Sequence, residues 1–227
     1  MNTDVYVIIP VYNEESAVGS VIKKLSKHFK HIVCVDDGSV DNSAAVIAKT
    51  KAQLVRHPIN LGQGAALQTG IDYAMQVASA KYFITFDADG QHRVEDALKL
   101  LNYARKHRVD IVLGSRFLGK APNVSLVKKT FLKLAVQFSN ATSRLKLTDA
   151  HNGLRVLNRT ATEKLRITMP DMAHASEIIN KIAKQKLRYV ERPVTINYNA
   201  YSKAHGQSML NSVNITFDLL VNKVSKK

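Results

Sequence analysis

Two carboxylates one residue apart, Asp87 and Asp89, end an apolar run in the stretch KYFITFDADGQHR from Lys81 to Arg93. Hard oxygen ligands at that spacing suit Mg²⁺ or Mn²⁺, ions that keep several waters and complete their shells with substrate phosphates. The same residues also suit plain Asx turns, with Asp-Gly breaking the run. A second acidic cluster, Asp36-Asp37, ends another apolar run upstream, and a tyrosine, Tyr12, follows the first one. Their recurrence weights the balance toward a binding site.

The elements that must position these groups alternate. Tyr82 to Phe86 is aromatic and β-branched and too short for a helix, so it reads as a strand buried on both faces. Val5 to Ile9, closed by Pro10, His31 to Val35, Gln53 to Val55 and Asp110 to Leu113, closed by Gly114-Ser115-Arg116, are further strands. Between them, Ala17, Val18, Val21, Ile22 and Leu25 form a helical stripe with Asn13 as its expected N-cap, Gly62 and Gly64 lead into a second helix, and Val94 to Lys106 forms another. Asp149 to Asn158 is expected to be a strand after an acidic loop, His174 to Lys184 a helix and Arg188 to Ile196 a strand. Short strands alternating with helices predict an α/β fold, a doubly wound and mostly parallel sheet with helices on both faces. In such a sheet ligands gather beyond the carboxyl ends of the strands, where Asp36, Asp37, Asp87 and Asp89 fall. A P-loop and a dinucleotide fingerprint are both excluded, the latter because Leu67 stands where the third glycine belongs.

With 227 residues and 45% hydrophobic content, the chain can bury one sizeable core. The expected organisation is one domain over 1–205 and a C-terminal amphipathic helix over 206–227, with Met209, Val213, Phe217, Leu220 and Val224 on one face. The single cysteine, Cys34, sits inside an apolar run, which excludes a disulfide framework and suggests the cytoplasm. No run approaches the roughly 18 apolar residues of a membrane span. The net charge of +15 is segregated: residues 1–110 carry 13 Lys/Arg against 12 Asp/Glu, and residues 111–227 carry 20 against 6. A basic half beside a neutral half points to an anionic partner such as lipid headgroups, a phosphorylated acceptor or nucleic acid. Within it, Val124, Val127, Phe131, Leu134 and Phe138 repeat at helical spacing among lysines and arginines, with no acidic residue between Ile111 and Thr148. Such a helix suits an anionic bilayer, the sheet, or a second copy of the chain in a homodimer.

Taken in order, IIPVYNEE (Ile8 to Glu15), VDDGSVDNS (Val35 to Ser43), NLGQGAALQTG (Asn60 to Gly70), FDADGQH (Phe86 to His92), GSRF (Gly114 to Phe117), DAHNGLRV (Asp149 to Val156) and GQS (Gly206 to Ser208) resemble the family 2 glycosyltransferases of the GT-A, Rossmann-like fold. The resemblance is strongest to the dolichyl-phosphate mannose and glucose synthase group. It implies an inverting, metal-dependent transfer from a UDP- or GDP-linked sugar to a lipid-phosphate or glycan acceptor. Pro10, Tyr12 and Glu14 would then border the base, Asp36 and Asp37 would contact base and ribose, and Asp89 and Gln91 would hold Mg²⁺ or Mn²⁺. Asp87 would reach the ribose or the metal shell. Arg116 would grip an acceptor phosphate, for which a guanidinium fork is well shaped. Asp149 would act as base or orient the sugar, and Glu177 is the competing base, with a first-turn helix carboxylate as its alternative role. Lys203 and Ser208 would complete the acceptor-phosphate site. Lys203 departs from the group, which has arginine there, and Met209 stands where the group has lysine. A basic nucleic-acid-binding protein and a sugar nucleotidyltransferase are the competing readings. The first leaves the strand-end carboxylates unexplained, so nucleic acid is not the expected partner, and the second lacks a glycine-rich phosphate loop after the first strand.

Overall fold

The computed structural model describes residues 2–120, 122, 126–171 and 173–198. In chain order the elements are β1 (Asn2–Val11), α1 (Val18–Leu25), β2 (Phe29–Asp36), α2 (Ser43–Ala48), β3 (Gln53–Arg56), α3 (Gln63–Met75), β4 (Tyr82–Thr85), α4 (Val94–His107), β5 (Ile111–Lys120), α5 (Leu126–Ser143), β6 (Arg155–Asn158), α6 (Arg159–Lys164), α7 (Ala173–Lys184) and β7 (Tyr189–Thr195). The sheet order is β3-β2-β1-β4-β6-β5-β7. All neighbours run parallel except β6, which lies antiparallel between β4 and β5.

The alternation of strand side chains builds two cores. Val5, Val7, Ile9 and Val11 face Val18, Val21, Ile22, Leu25, Leu100 and Leu101 of α1 and α4. Tyr6 and Ile8 face the other way, toward Leu67, Ile71, Ile178, Ile179 and Ile182 of α3 and α7. Helices thus cover both faces, as the strand–helix alternation predicts.

Several expectations need correction. Pro10 does not close β1, which continues to Val11 against Asp36 of β2. On the other side β4 is paired only as far as Thr85 with Ile8, so the missing Pro10 N–H breaks no ladder there. Asn13 is no helix cap: it has φ 54°, its Oδ1 accepts from Val40 N, and the N-cap of α1 is Ala17 without a side-chain bond. Gly114-Ser115-Arg116 does not end β5, which runs through it to Lys120 because β7 continues alongside. Among the described side chains of α5, Val136, Ser139 and Ser143 are buried, whereas Leu134 is 55% exposed. Val124 and the expected C-terminal helix lie outside the described residues.

Candidate active site

At the carboxyl ends of β1 and β2, Tyr12 is 47% exposed, while Asp36 and Asp37 are buried. Asp36 accepts from Ser39 N at 3.2 Å and Arg56 Nε at 2.9 Å. Asp37 stands 2.6 Å from His57 Nδ1 and accepts from Leu61 N at 3.0 Å and Gly62 N at 2.8 Å. His57 in turn meets Thr69 Oγ1 at 2.9 Å. Asp37 therefore fixes the Asn60–Gly62 loop onto α3 from inside the protein. Gly62, at φ 93°, packs so tightly that a Cβ there would stand 2.4 Å from Asp171 N. The Glu14 N–H donates to Ser43 Oγ at 2.8 Å, which ties the segment after Pro10 and Tyr12 to α2.

Beyond β4, Asp87 and Asp89 take different surroundings. Asp87 Oδ2 is 2.8 Å from His92 Nε2, and Oδ1 accepts from Gln63 Nε2 at 3.4 Å. Burial alone would raise the Asp87 carboxyl, but His92, Arg155 and His174 outweigh it and hold it below the ordinary aspartate value. Asp89 accepts from Gln91 N at 2.9 Å and from Gln91 Nε2 at 2.5 Å, an Asx turn of the kind the sequence allowed. Burial and the adjacent Asp87 charge push the Asp89 carboxyl above its ordinary value. One carboxylate is balanced and its neighbour is not, an imbalance that a divalent cation would relieve. Among the described residues no group of three His, Cys, Asp or Glu is gathered to hold a metal. Asp87, Asp89 and the side-chain amide oxygen of Gln91 fit Mg²⁺ or Mn²⁺, which draw the rest of their shell from water and phosphate.

The third cluster joins β5, the loop before β6, and the end of β7. Asp149 Oδ2 accepts from Arg116 N at 2.9 Å and from Arg116 Nε at 2.6 Å, both side chains being almost wholly buried. Arg116 Nη1 donates to Tyr198 Oη at 3.1 Å and Nη2 to His151 O at 3.0 Å. Burial works to lower the Arg116 pKa, and Asp149 with Tyr198 more than reverses it. Glu191 supports Asp149 from β7 by accepting from its N–H at 2.9 Å and from Thr148 N. Arg116 and Asp149 are thus each other's principal partners.

Glu177 lies in the second turn of α7 instead of its first. Its carboxylate accepts from Thr168 N, Thr168 Oγ1 and Met169 N and meets Lys181 Nζ at 2.7 Å. Those donors prevail over burial and keep it ionised below the usual glutamate range. It fastens the loop before α7, so the first-turn role does not hold. Lys203 and Ser208 lie outside the described residues.

Sequence reasoning missed the residues that connect these clusters. A Cβ at Gly153 would stand 2.3 Å from Asp87 Oδ2, so only glycine lets the carboxylate lie there. Arg155 is 3% exposed on the same loop exit, within electrostatic reach of both Asp87 and Asp149. His174 is buried and His151 half-buried, and desolvation lowers both to about 4. Asn197 N donates to Gln91 O at 3.0 Å and His92 bridges to Ile196, so the segment that carries Tyr198 to Arg116 also laces the Asp89–His92 turn. The signal was present in FDADGQH and DAHNGLRV, whose polar residues outnumber the roles given to them.

The family model for Glycosyl transferase family 2 matches residues 6–166. The UDP-N-acetylglucosamine--dolichyl-phosphate N-acetylglucosaminyltransferase of Methanococcus voltae is 31% identical over 98% of this chain and 97% of its own. The polyprenol monophosphomannose synthase of Mycolicibacterium smegmatis is 27% identical over 73% of this chain and 65% of its own. In fold, the chain is similar to mannosyl-3-phosphoglycerate synthase from Rubrobacter xylanophilus, with TM-score 0.74 and 16% identity over 99% of this chain and 74% of that one. It is also similar to glucosyl-3-phosphoglycerate synthase from Mycobacterium tuberculosis in complex with Mn²⁺ and UDP-glucose, with TM-score 0.68 and 16% identity over 99% and 79%.

Proposed function

The chain belongs to glycosyl transferase family 2, and from that premise we propose that it moves a sugar from a UDP- or GDP-linked donor to a polyprenyl phosphate with inversion at the anomeric carbon. The observation that carries the reading is that one segment, Ile196 to Tyr198, binds both the Asp89–His92 turn, through His92–Ile196 and Asn197 N to Gln91 O, and the buried Arg116–Asp149 pair, through Tyr198. The first pair, with Gln91, would hold Mg²⁺ or Mn²⁺. When bound, the ion would stabilise negative charge on the departing diphosphate. The name of the Methanococcus voltae relative, which matches nearly end to end, supports a dolichyl-type phosphate acceptor.

The chain's own residues would do the positioning. Tyr12 offers an exposed ring at the end of β1, where a base can stack. Asp36 and Asp37, buried and held by Ser39, Arg56, His57 and the Leu61–Gly62 amides, would set the loops around base and ribose, and direct contact with those donors would require the loops to open. Arg116 would approach an acceptor phosphate by exchanging a protein partner, and Tyr198 at 3.1 Å is the longest of its four contacts. Asp149 is engaged with Arg116 and Glu177 with the Thr168–Met169 loop, so both expected bases already serve protein donors. That arrangement favours a phosphate acceptor, which is largely ionised near neutrality and needs little base catalysis, over a sugar hydroxyl, which needs a base.

The test is transfer from a panel of UDP- and GDP-sugars, with Mn²⁺ or Mg²⁺, to a polyprenyl phosphate and to the matching unphosphorylated polyprenol. Product from the phosphate alone supports the reading. Equal transfer to both alcohol and phosphate, or transfer only to a free glycan, refutes the acceptor assignment.

A further inference from the structure

A chain of three side chains holds the loop beside the nucleotide end of the site, and the transfer reading gives two of them no role. His57 follows β3, and its ring joins two elements: Nδ1 is 2.6 Å from Asp37 Oδ1, and Nε2 is 2.9 Å from Thr69 Oγ1 on α3. Asp37 is 2% exposed and His57 9%. A carboxylate can only accept, so Nδ1 carries the proton, and Nε2 of the neutral ring then accepts from the Thr69 hydroxyl. One rigid ring thus offers a donor and an acceptor on opposite edges. Asp37 passes the constraint on, since Oδ1 also accepts from Leu61 N at 3.0 Å and Oδ2 from Gly62 N at 2.8 Å. On one side of this turn, Gln63 at the start of α3 reaches Asp87 Oδ1 at 3.4 Å. On the other, a Cβ at Gly38 would stand 2.5 Å from Ile59 C. The loop therefore lies between the segment after β2 and the Asp87 carboxylate.

We propose that His57 is a positioning residue for the nucleotide end of the site: braced by Thr69, it fixes Asp37 and, through Asp37, the Leu61–Gly62 turn that borders the donor. His57 acts through that carboxylate and needs no contact with the nucleotide. The proposal rests on the transfer reading for the nucleotide's place, whereas the brace belongs to the free chain. Removing one partner of a buried hydrogen-bonded group shifts an equilibrium by about 10-fold. A loosened turn must be ordered again when the nucleotide binds, so the cost falls on donor affinity. Arg116 and Asp149 are held by each other, Tyr198 and Glu191, none of which touches this loop by hydrogen bond, and they keep their arrangement.

The experiment compares His57→Phe, which keeps a ring and removes both bonds, Thr69→Val, which removes only the far hydroxyl, and Thr69→Ser, which keeps it. Amide hydrogen exchange, followed by NMR on the full chain without ligand, reads the brace. Leu61 and Gly62 should exchange about 10-fold faster in His57→Phe and Thr69→Val, with the β4 amides unchanged and Thr69→Ser close to wild type. Titration with UDP and GDP in Mn²⁺ should show affinity lowered by about 10-fold in the same two variants, and the donor KM should rise alike while kcat stays within about twofold. Wild-type exchange at Leu61 and Gly62 in both variants overturns the brace. Faster exchange with wild-type nucleotide affinity reduces His57 to a structural residue and overturns its positioning role, as does a fall in kcat that matches the rise in KM. If His57→Phe does not fold, Thr69→Val decides by the same outcomes. A wild-type chain that binds neither nucleotide would overturn the transfer reading and the nucleotide role with it, whereas the exchange rates would still decide the brace.

Discussion

Gly153 and Asp87 are packed so closely that a single added methyl group would lie 2.3 Å from one carboxylate oxygen and 2.5 Å from the other. This contact sets where Asp87 stands between His92 and Gln63. Gly153→Ala should therefore act on the site more than on the fold. Overpacking costs about 1–3 kcal/mol, which calorimetric melting will register, and the displaced carboxylate should weaken Mn²⁺-dependent nucleoside-diphosphate binding in titration. A lowered melting temperature with unaltered affinity would detach Gly153 from the site.

Asp89 is the carboxylate left unbalanced beside Asp87. Asp89→Ala removes the repulsion together with the expected ligand, so the fold should be unharmed or slightly stabilised while metal-dependent nucleotide binding is lost by at least about 10-fold. Isothermal titration with UDP and GDP, with and without Mn²⁺, decides it. Preserved Mn²⁺ dependence would remove Asp89 from the metal site.

These two residues also mark how far the sequence could be followed. The carboxylates at strand ends, the apolar alternation and the helical stripes were legible because each is a local pattern tied to one period. The direction of β6 was not, since four residues, Arg155 to Asn158, carry no sign of strand direction and only pairing with β4 and β5 reveals it. Gly114-Ser115-Arg116 looked like a turn by composition, yet β7 pairing extends the strand through it. Asn13 had the composition of a cap, and its bond to Val40 N placed it in a loop instead. Gly153 lay inside a motif the sequence displayed, but its role could not be read there, because it depends on close approach to Asp87, more than sixty positions away.

Arg116 makes four hydrogen bonds that depend on its fork and backbone. Arg116→Lys keeps the charge beside Asp149 but cannot serve Asp149, Tyr198 and His151 O at once. Transfer to a polyprenyl phosphate should fall more steeply than nucleotide affinity or donor hydrolysis. Equal losses in all three would assign Arg116 to the donor side or to the scaffold.

His151 and His174 are held at about 4 by burial, below the ordinary value of 6.5. The unfolded chain therefore binds more protons than the folded one as pH falls through this interval. Stability contributed by the neutral imidazoles is complete above about pH 6.5 and is lost progressively toward pH 4. Melting temperature should be flat from pH 7 to 8 in this respect and decline between 6.5 and 4. His174→Gln should flatten part of that decline relative to its own value at pH 7.5, and an unchanged slope would show that His174 does not cause it.

On α5, Leu134 is 55% exposed with Lys129 and Lys133 nearby on the solvent side, and Leu118 at the end of β5 is 49% exposed. Among the described residues no helix is long and apolar enough to cross a membrane. Apolar side chains standing among lysines are the chemistry of a helix lying on an anionic surface, where each basic residue contributes roughly 1 kcal/mol. The expected outcome is co-sedimentation with anionic liposomes at low salt, weak or no binding to neutral ones, and release as salt rises. Leu134→Ser should weaken the association where salt no longer matters, and Lys129→Glu/Lys133→Glu should weaken it where salt is low. Neither change should alter nucleotide affinity, because all three side chains are exposed to solvent on α5, whereas Asp87 and Asp89 follow β4. If the wild-type chain stays in the supernatant with anionic liposomes at low salt, the exposed face of α5 is not a membrane contact, and a concentration-dependent change in sedimentation coefficient abolished by Leu134→Ser would assign it to a second copy of the chain.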